Sequence, residues 1–215
     1  MIADDQHAAT TLLADPATHH IAGRVETIET HISRIFLAGD RAYKMKRAVK
    51  LPYADFSTPK LRLATCRKEV DLDSGTAPGL YLGVRRITRE PDGTTVLDGD
   101  GELIDAVVEM QRFDQSALLD RMALAVALTP ELMSDTARMI IRFHRFAPVV
   151  HRGGGRANLA GVLDINRAGF ATSHVFDQDE VAAFDASFRA ALARHAALLD
   201  RREAAGKVRR CHGDL

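Results

Sequence analysis

The periodicity of this 215-residue chain changes once, after Phe113, and that change limits what it can fold into. Before it, apolar residues recur mostly at strand spacing. After it, they recur at helix spacing. "RVETIETHISRIFLAGDRAYKMKRAV" holds two runs rich in Val, Ile, Phe and Tyr around "AGD", the pattern of a β-hairpin. Alternation along the second run sets Ala42, Lys44 and Lys46 on one face and Tyr43, Met45 and Arg47 on the other. "LYLGVRRITREPDGTTVLDGDGELIDAVVEMQRF" reads as three strands with turns at "PDG" and "DGDG". Between these β regions, "DFSTPKLRLATCRKEVDLDSGTAPG" reads as a helix. Ser57 or Thr58 caps it, Pro59 suits its first turn, and Gly75 with Pro78 ends it. The expected stripe is Leu61, Thr65 and Leu72, with Glu69 at its edge. A short helix is expected over Ala3–Ala14, before Pro16.

After Phe113 the pattern is helical. Thr129 and Pro130 open one helix, with Leu132, Thr136, Ile140 and Phe143 at helical spacing. "HRGGGRANLAG" reads as a glycine-rich connecting loop. It lacks the Gly-Lys-Ser/Thr ending of a phosphate-binding Walker loop. A long helix follows, opened by Asp177 and Glu180 in a capping box, with Val181, Phe184, Phe188, Leu192 and His195 on one face. Gly206 closes it, and "KVRRC" reads as a short strand leading into "HGD". The fold class is therefore α+β. Residues 1–113 form a β-rich lobe with one inserted helix, and residues 114–215 form a helical lobe. "EMQRFDQ" is the hinge between them, and a cleft between the lobes is the expected ligand site.

Composition excludes several classes. Lys and Arg number 29, and so do Asp and Glu. Such a balance gives no broad electrostatic attraction to nucleic acid or to an anionic membrane surface. No apolar run reaches the roughly 18 residues that suggest a membrane-spanning helix. The first residues are acidic and polar, unlike a signal peptide. Cys66 and Cys211 make no disulfide framework and suit a reducing, cytoplasmic setting. His19, His20, His144, His151 and His174 do not fall at metal-ligand spacing.

Three residues fall in an order that carries chemistry: Lys44 on a strand, Glu69 on the next helix, and Asp214 in a loop far downstream. Separately each reads as a solvated charge. Together they fit phosphoryl transfer, which demands positioning and charge stabilisation more than covalent chemistry. A strand lysine holds phosphate oxygens, a helix carboxylate aims the lysine, and an aspartate orients the acceptor hydroxyl and takes its proton.

Those residues, in "RAYKMKR", "CRKEVDL", "EMQRF" and "CHGDL", resemble the aminoglycoside phosphotransferase and choline kinase-like group of the protein kinase-like fold. "ETHISRIFLAGDRAYKMKRAVKLPYADFST" is most similar to a bacterial branch, some members of which carry a further P-loop ATPase domain. The resemblance runs from about Arg24 to Leu215. It implies two lobes, with Lys44 on the nucleotide phosphates, Lys46 as the fallback on the same face, and Glu69 as the lysine's partner. It implies that backbone groups at Glu109, Met110 and Gln111 meet the adenine edge, that Ser33 or nearby backbone touches phosphate, and that Asp214 is the catalytic aspartate, supported by His212.

The departures shape the functional expectation. The glycine-rich phosphate loop of ordinary protein kinases is replaced by "ETHIS". The resemblance implies an asparagine and a metal-binding aspartate beyond Asp214, so the Mg2+ ligands are expected past residue 215. The expectation is an N-terminal portion of a kinase-like domain, truncated at the His-Gly-Asp loop, with an incomplete helical lobe and inactive alone. Its parent activity would be ATP-dependent phosphorylation of a small-molecule hydroxyl. The alternative is a non-catalytic nucleotide-sensing or partner-docking module, and a P-loop ATPase downstream is one such partner.

Overall fold

Gly39 takes a left-handed φ of 58° at the tip of the first hairpin, where a side chain would be strained. It joins β2 (Ser33–Ala38) to β3 (Arg41–Lys46), as the "AGD" pattern predicts. The computed structural model describes residues 5–151, 153–173 and 175–211. Six strands form one antiparallel sheet in the order β1-β2-β3-β8-β6-β7, with β1 at Glu26–Glu29, β6 at Tyr81–Arg89, β7 at Thr95–Leu97 and β8 at Glu102–Gln111. Two short strands, β4 (Lys50–Leu51) and β5 (Ala54–Asp55), pair separately. The class is α+β, an antiparallel sheet with several helices.

The chain divides into two compact units. One holds residues up to Lys50 together with Asp55–Ile141. The other holds Leu51–Ala54 and the residues from Arg142 onward. In the first unit, helices cover both faces of the sheet. α1 (His7–Ala14) buries Ala9 and Leu13 against Phe36, Met45, Ile87 and Val107. α2 (Pro59–Asp73) covers the other face, where Cys66 packs with Ala106 and Val108. Thr58 caps α2 by accepting a hydrogen bond from the Leu61 amide at 3.3 Å, and Pro59 occupies the first turn. Lys44 and Lys46 therefore face α2, while Tyr43 and Met45 face α1.

The inward face of α2 differs from the expected stripe. Arg62, Cys66, Glu69 and Asp73, spaced by four, three and four positions, turn toward the sheet, while Leu61 is 40% exposed. The expectation assumed that apolar residues mark the buried side. Here every inward polar group meets a partner from the sheet, and that satisfies the condition for burying it.

The second unit contains the end of α4 (Pro130–Phe146), α5 (Gly155–Ala171) and α6 (Gln178–Ala204). Asp177 caps α6 by accepting from the Asp179 and Glu180 amides. The "HRGGGRANLAG" stretch is not all loop, because α5 begins at Gly155. "KVRRC" is extended: Val149 and Arg209 form an antiparallel bridge, flanked by Val150 N–H to Val208 O at 3.0 Å and Arg210 N–H to Pro148 O at 2.9 Å. Among the described residues, no helix is long and apolar enough to cross a membrane.

Candidate functional site

The α2–sheet contact is a row of polar pairs. Arg62 Nε donates to Asp105 Oδ1 at 2.8 Å, with both side chains fully buried, and Arg62 also donates to the carbonyls of Phe56 and Ile104. Cys66 Sγ lies 3.7 Å from the Ala106 carbonyl. Asp73 hydrogen-bonds the Tyr81 phenol, which burial first and then Asp73 and Glu69 push well above its ordinary value. Between these rungs sits Glu69. Its Oε1 lies 2.9 Å from Lys44 Nζ, and its Oε2 pairs with Lys46 Nζ.

Glu69 is therefore shared by two cations. Its side chain is 10% exposed, Lys46 7% and Lys44 29%. Burial alone would push the Glu69 carboxyl up. The ammonium groups of Lys44 and Lys46 overrule it and hold the group below its usual value. The Cys66 thiol, one turn away, is pushed up to about 12 by burial and by the Glu69 charge, so it is a packed, unreactive thiol.

Lys44, Glu69 and Lys46 thus converge, and Lys46 is a full partner rather than a fallback. Ser33 stands opposite Lys46 in the β2–β3 register, on the same face. It is buried, and its Oγ has no hydrogen-bond partner among the described residues. Its amide donates to Thr30 Oγ1 at 2.9 Å and its carbonyl accepts from the Thr30 amide at 2.8 Å, so its backbone is occupied in the turn.

Glu109, Met110 and Gln111 lie at the end of β8, paired on one side with Tyr43, Ala42 and Arg41 of β3. On the other side Met110 pairs with Tyr81 and Glu109 with Gly83, while the Gln111 amide donates to Leu80 O at 2.8 Å. The Glu109 carboxylate lies on the α1 face of the sheet, 3.0 Å from Arg85 and 3.6 Å from Arg41, and accepts from Tyr43 Oη at 3.4 Å. His212 and Asp214 lie outside the described residues, as does His174. Among the described residues, no group of three or more His, Cys, Asp or Glu side chains could hold a metal ion.

The sequence reading missed two features. The first is the Arg62–Asp105 pair, joined by Gln6 Nε2, which donates to Asp105 Oδ2 at 2.7 Å and to the Lys46 carbonyl at 2.8 Å. Its signal was a lone acid inside the apolar run "LIDAVV". The second is the role of the glycines ahead of α5. The Gly154 amide donates to Glu203 Oε1 at 3.1 Å and the Arg156 amide to Asp200 Oδ1 at 3.2 Å, so carboxylates of α6 already occupy those donors. A Cβ on Gly155 would lie 2.8 Å from Glu203 Oε2 and 2.9 Å from Asp200 Oδ1. The glycines allow α5 to start against α6.

Comparison with known proteins gives relatives without an assigned activity. The chain is 31% identical over 123 residues to uncharacterized proteins of Mycobacterium tuberculosis (strain ATCC 25618 / H37Rv) and Mycobacterium bovis (strain ATCC BAA-935 / AF2122/97). The match covers 57% of this chain and 23% of each relative, so the chain spans about a quarter of their length. No family model matches the chain, and no solved structure matches it.

Proposed function

We propose that the Lys44–Glu69–Lys46 cluster is the nucleotide-phosphate site of an ATP-dependent phosphotransferase of the aminoglycoside phosphotransferase and choline kinase-like type. The observation that carries this reading is the 2.9 Å contact between Lys44 on β3 and Glu69 on the next helix. An ion pair of that kind aims a strand lysine at phosphate oxygens. The sheet order supports it as well: α2 is inserted between β3 and β6 and packs on the face that carries the lysine. So does the extended segment at Val208–Arg210, which leads toward His212 and Asp214. In this reading the fold is kinase-like, the acceptor is a small-molecule hydroxyl, and Asp214 orients it. The two cations suit the phosphates of ATP. The Mg2+ ligands belong to residues that follow the His-Gly-Asp loop. The cysteines Cys66 and Cys211 are free, which suits a cytoplasmic setting.

Nucleotide titration tests the reading. ATP or ADP added to the full chain, with and without Mg2+, should bind and raise the unfolding temperature. Lys44→Ala should weaken binding by about tenfold or more, the equivalent of ~1.4 kcal/mol. A chain that binds no nucleotide, or a Lys44→Ala variant that binds as well as wild type, would overturn it. Nucleotide binding without phosphotransfer to any hydroxyl acceptor would favour a nucleotide-sensing module.

A further inference from the structure

The Glu69 cluster carries one uncompensated positive charge. Two ammonium groups meet one carboxylate. Neither lysine has another carboxylate within ion-pair distance among the described residues. A cationic excess among groups this buried is unfavourable until an anion arrives. The cluster is thus built to receive an anion and not merely to join α2 to the sheet.

The two lysines are not equivalent. Lys46 is held from several sides. Gln6 donates to its carbonyl at 2.8 Å, its strand position pairs with Ser33, and its Nζ stands 5.9 Å over the Phe56 ring. Lys44 is four times as exposed, and its ammonium meets only Glu69 among the described residues. We infer that the lysines divide the work. Lys46 is the resident partner of Glu69, and Lys44 is the arm that leaves Glu69 to take a phosphate oxygen of a polyphosphate ligand. This rests on the nucleotide-phosphate reading and adds a positioning residue to it.

The physical reason is the cost of a stranded charge. If Lys44 were the sole partner of Glu69, its departure would leave a buried carboxylate uncompensated, and that penalty would oppose ligand binding. With Lys46 in place, Glu69 stays paired while Lys44 moves. Lys46 therefore governs affinity without touching the ligand. Removing it would lock Lys44 onto Glu69, and removing Glu69 as well would free Lys44 again.

The test uses the full chain, with ADP and inorganic triphosphate as probes. Nitrogen-15 NMR of the lysine ammonium groups should show the Lys44 resonance shifting on titration and the Lys46 resonance staying in place. By calorimetry, Lys46→Met should weaken binding about tenfold, and Lys46→Met/Glu69→Gln should return to within about threefold of wild type. If the Lys46 resonance shifts with the ligand, or the double variant binds no better than Lys46→Met, the division of labour is wrong and the phosphate site stands. If wild type binds neither probe, both readings fail. The NMR arm needs only the wild-type chain, so a variant that fails to fold leaves the test intact.

Discussion

The inward face of α2 and the facing sides of α5 and α6 treat polarity in opposite ways. α2 turns Arg62, Cys66, Glu69 and Asp73 into the protein, and each finds a specific partner on the sheet. α5 and α6 line an apolar groove of about 550 Å³ with Leu163, Phe170, Phe184, Phe188 and Leu192. Phe184 and Phe188 are 49% and 48% exposed there, and their rings stack on each other at 4.5 Å. α6 buries no residue among those described. The difference teaches that the available partner decides burial, not hydropathy alone. A charged side chain goes inside where a counter-charge is fixed by a strand. A phenylalanine stays half outside where no surface meets it.

The sharpest way to break that comparison is to remove one residue from each face. Arg62→Ala leaves Asp105 buried with Gln6 and one amide for company, and should cost about 3–5 kcal/mol by chemical denaturation. Phe188→Ala removes a ring that is half in water already, and should cost about 1 kcal/mol. Equal losses would mean that the α2 pairs are ordinary surface salt bridges. The next effect sits inside α5. Gly155→Ala forces an L residue to φ 58° against two carboxylates of α6, and should cost about 1–3 kcal/mol. Gly161→Ala meets open space in the same helix and should be stabilising by about 0.5–1 kcal/mol. If both glycines tolerate alanine alike, the close start of α5 on α6 is not what fixes this unit.

Much of this was legible in the residues. The hairpin at Gly39, the Thr58 cap with Pro59, the three strands around "PDG" and "DGDG", and the Asp177 cap all follow from local rules, because turn and cap chemistry acts over three or four positions. Lys44 and Lys46 could be placed on one face by alternation alone. The true face of α2 could not be read. Its signal is written in Arg, Cys, Glu and Asp, and only the positions of Asp105, Lys44, Lys46 and Tyr81 in space make those residues interior. The start of α5 was hidden for a related reason. Glycines usually end helices, and here Gly154 and Gly155 admit carboxylates from a helix that follows much later in the chain.

The smallest effect separates two rungs of the same ladder. The folded value of Glu69 lies below its ordinary 4.5, because two ammonium groups outweigh burial. In the unfolded chain the group protonates near 4.5. Its contribution to stability is therefore complete above that pH and is lost as pH falls through the lower folded value. Asp105 shifts the other way: burial raises it above 3.8, and Arg62, Gln6 and the Ala106 amide offset that only in part. Its ionisation opposes folding as pH rises from 3.8 through the raised value. Exposed carboxylates such as Asp55 and Asp92 are also lowered, so the informative quantity is a difference between variants. Below pH 4.5, stability should fall less steeply with acid for Glu69→Gln than for wild type, measured by denaturation across a pH series. Parallel curves would mean that the Glu69 carboxylate is not held by Lys44 and Lys46 in the folded chain. The contrast between a satisfied polar face and an unsatisfied apolar one would then lose its central rung.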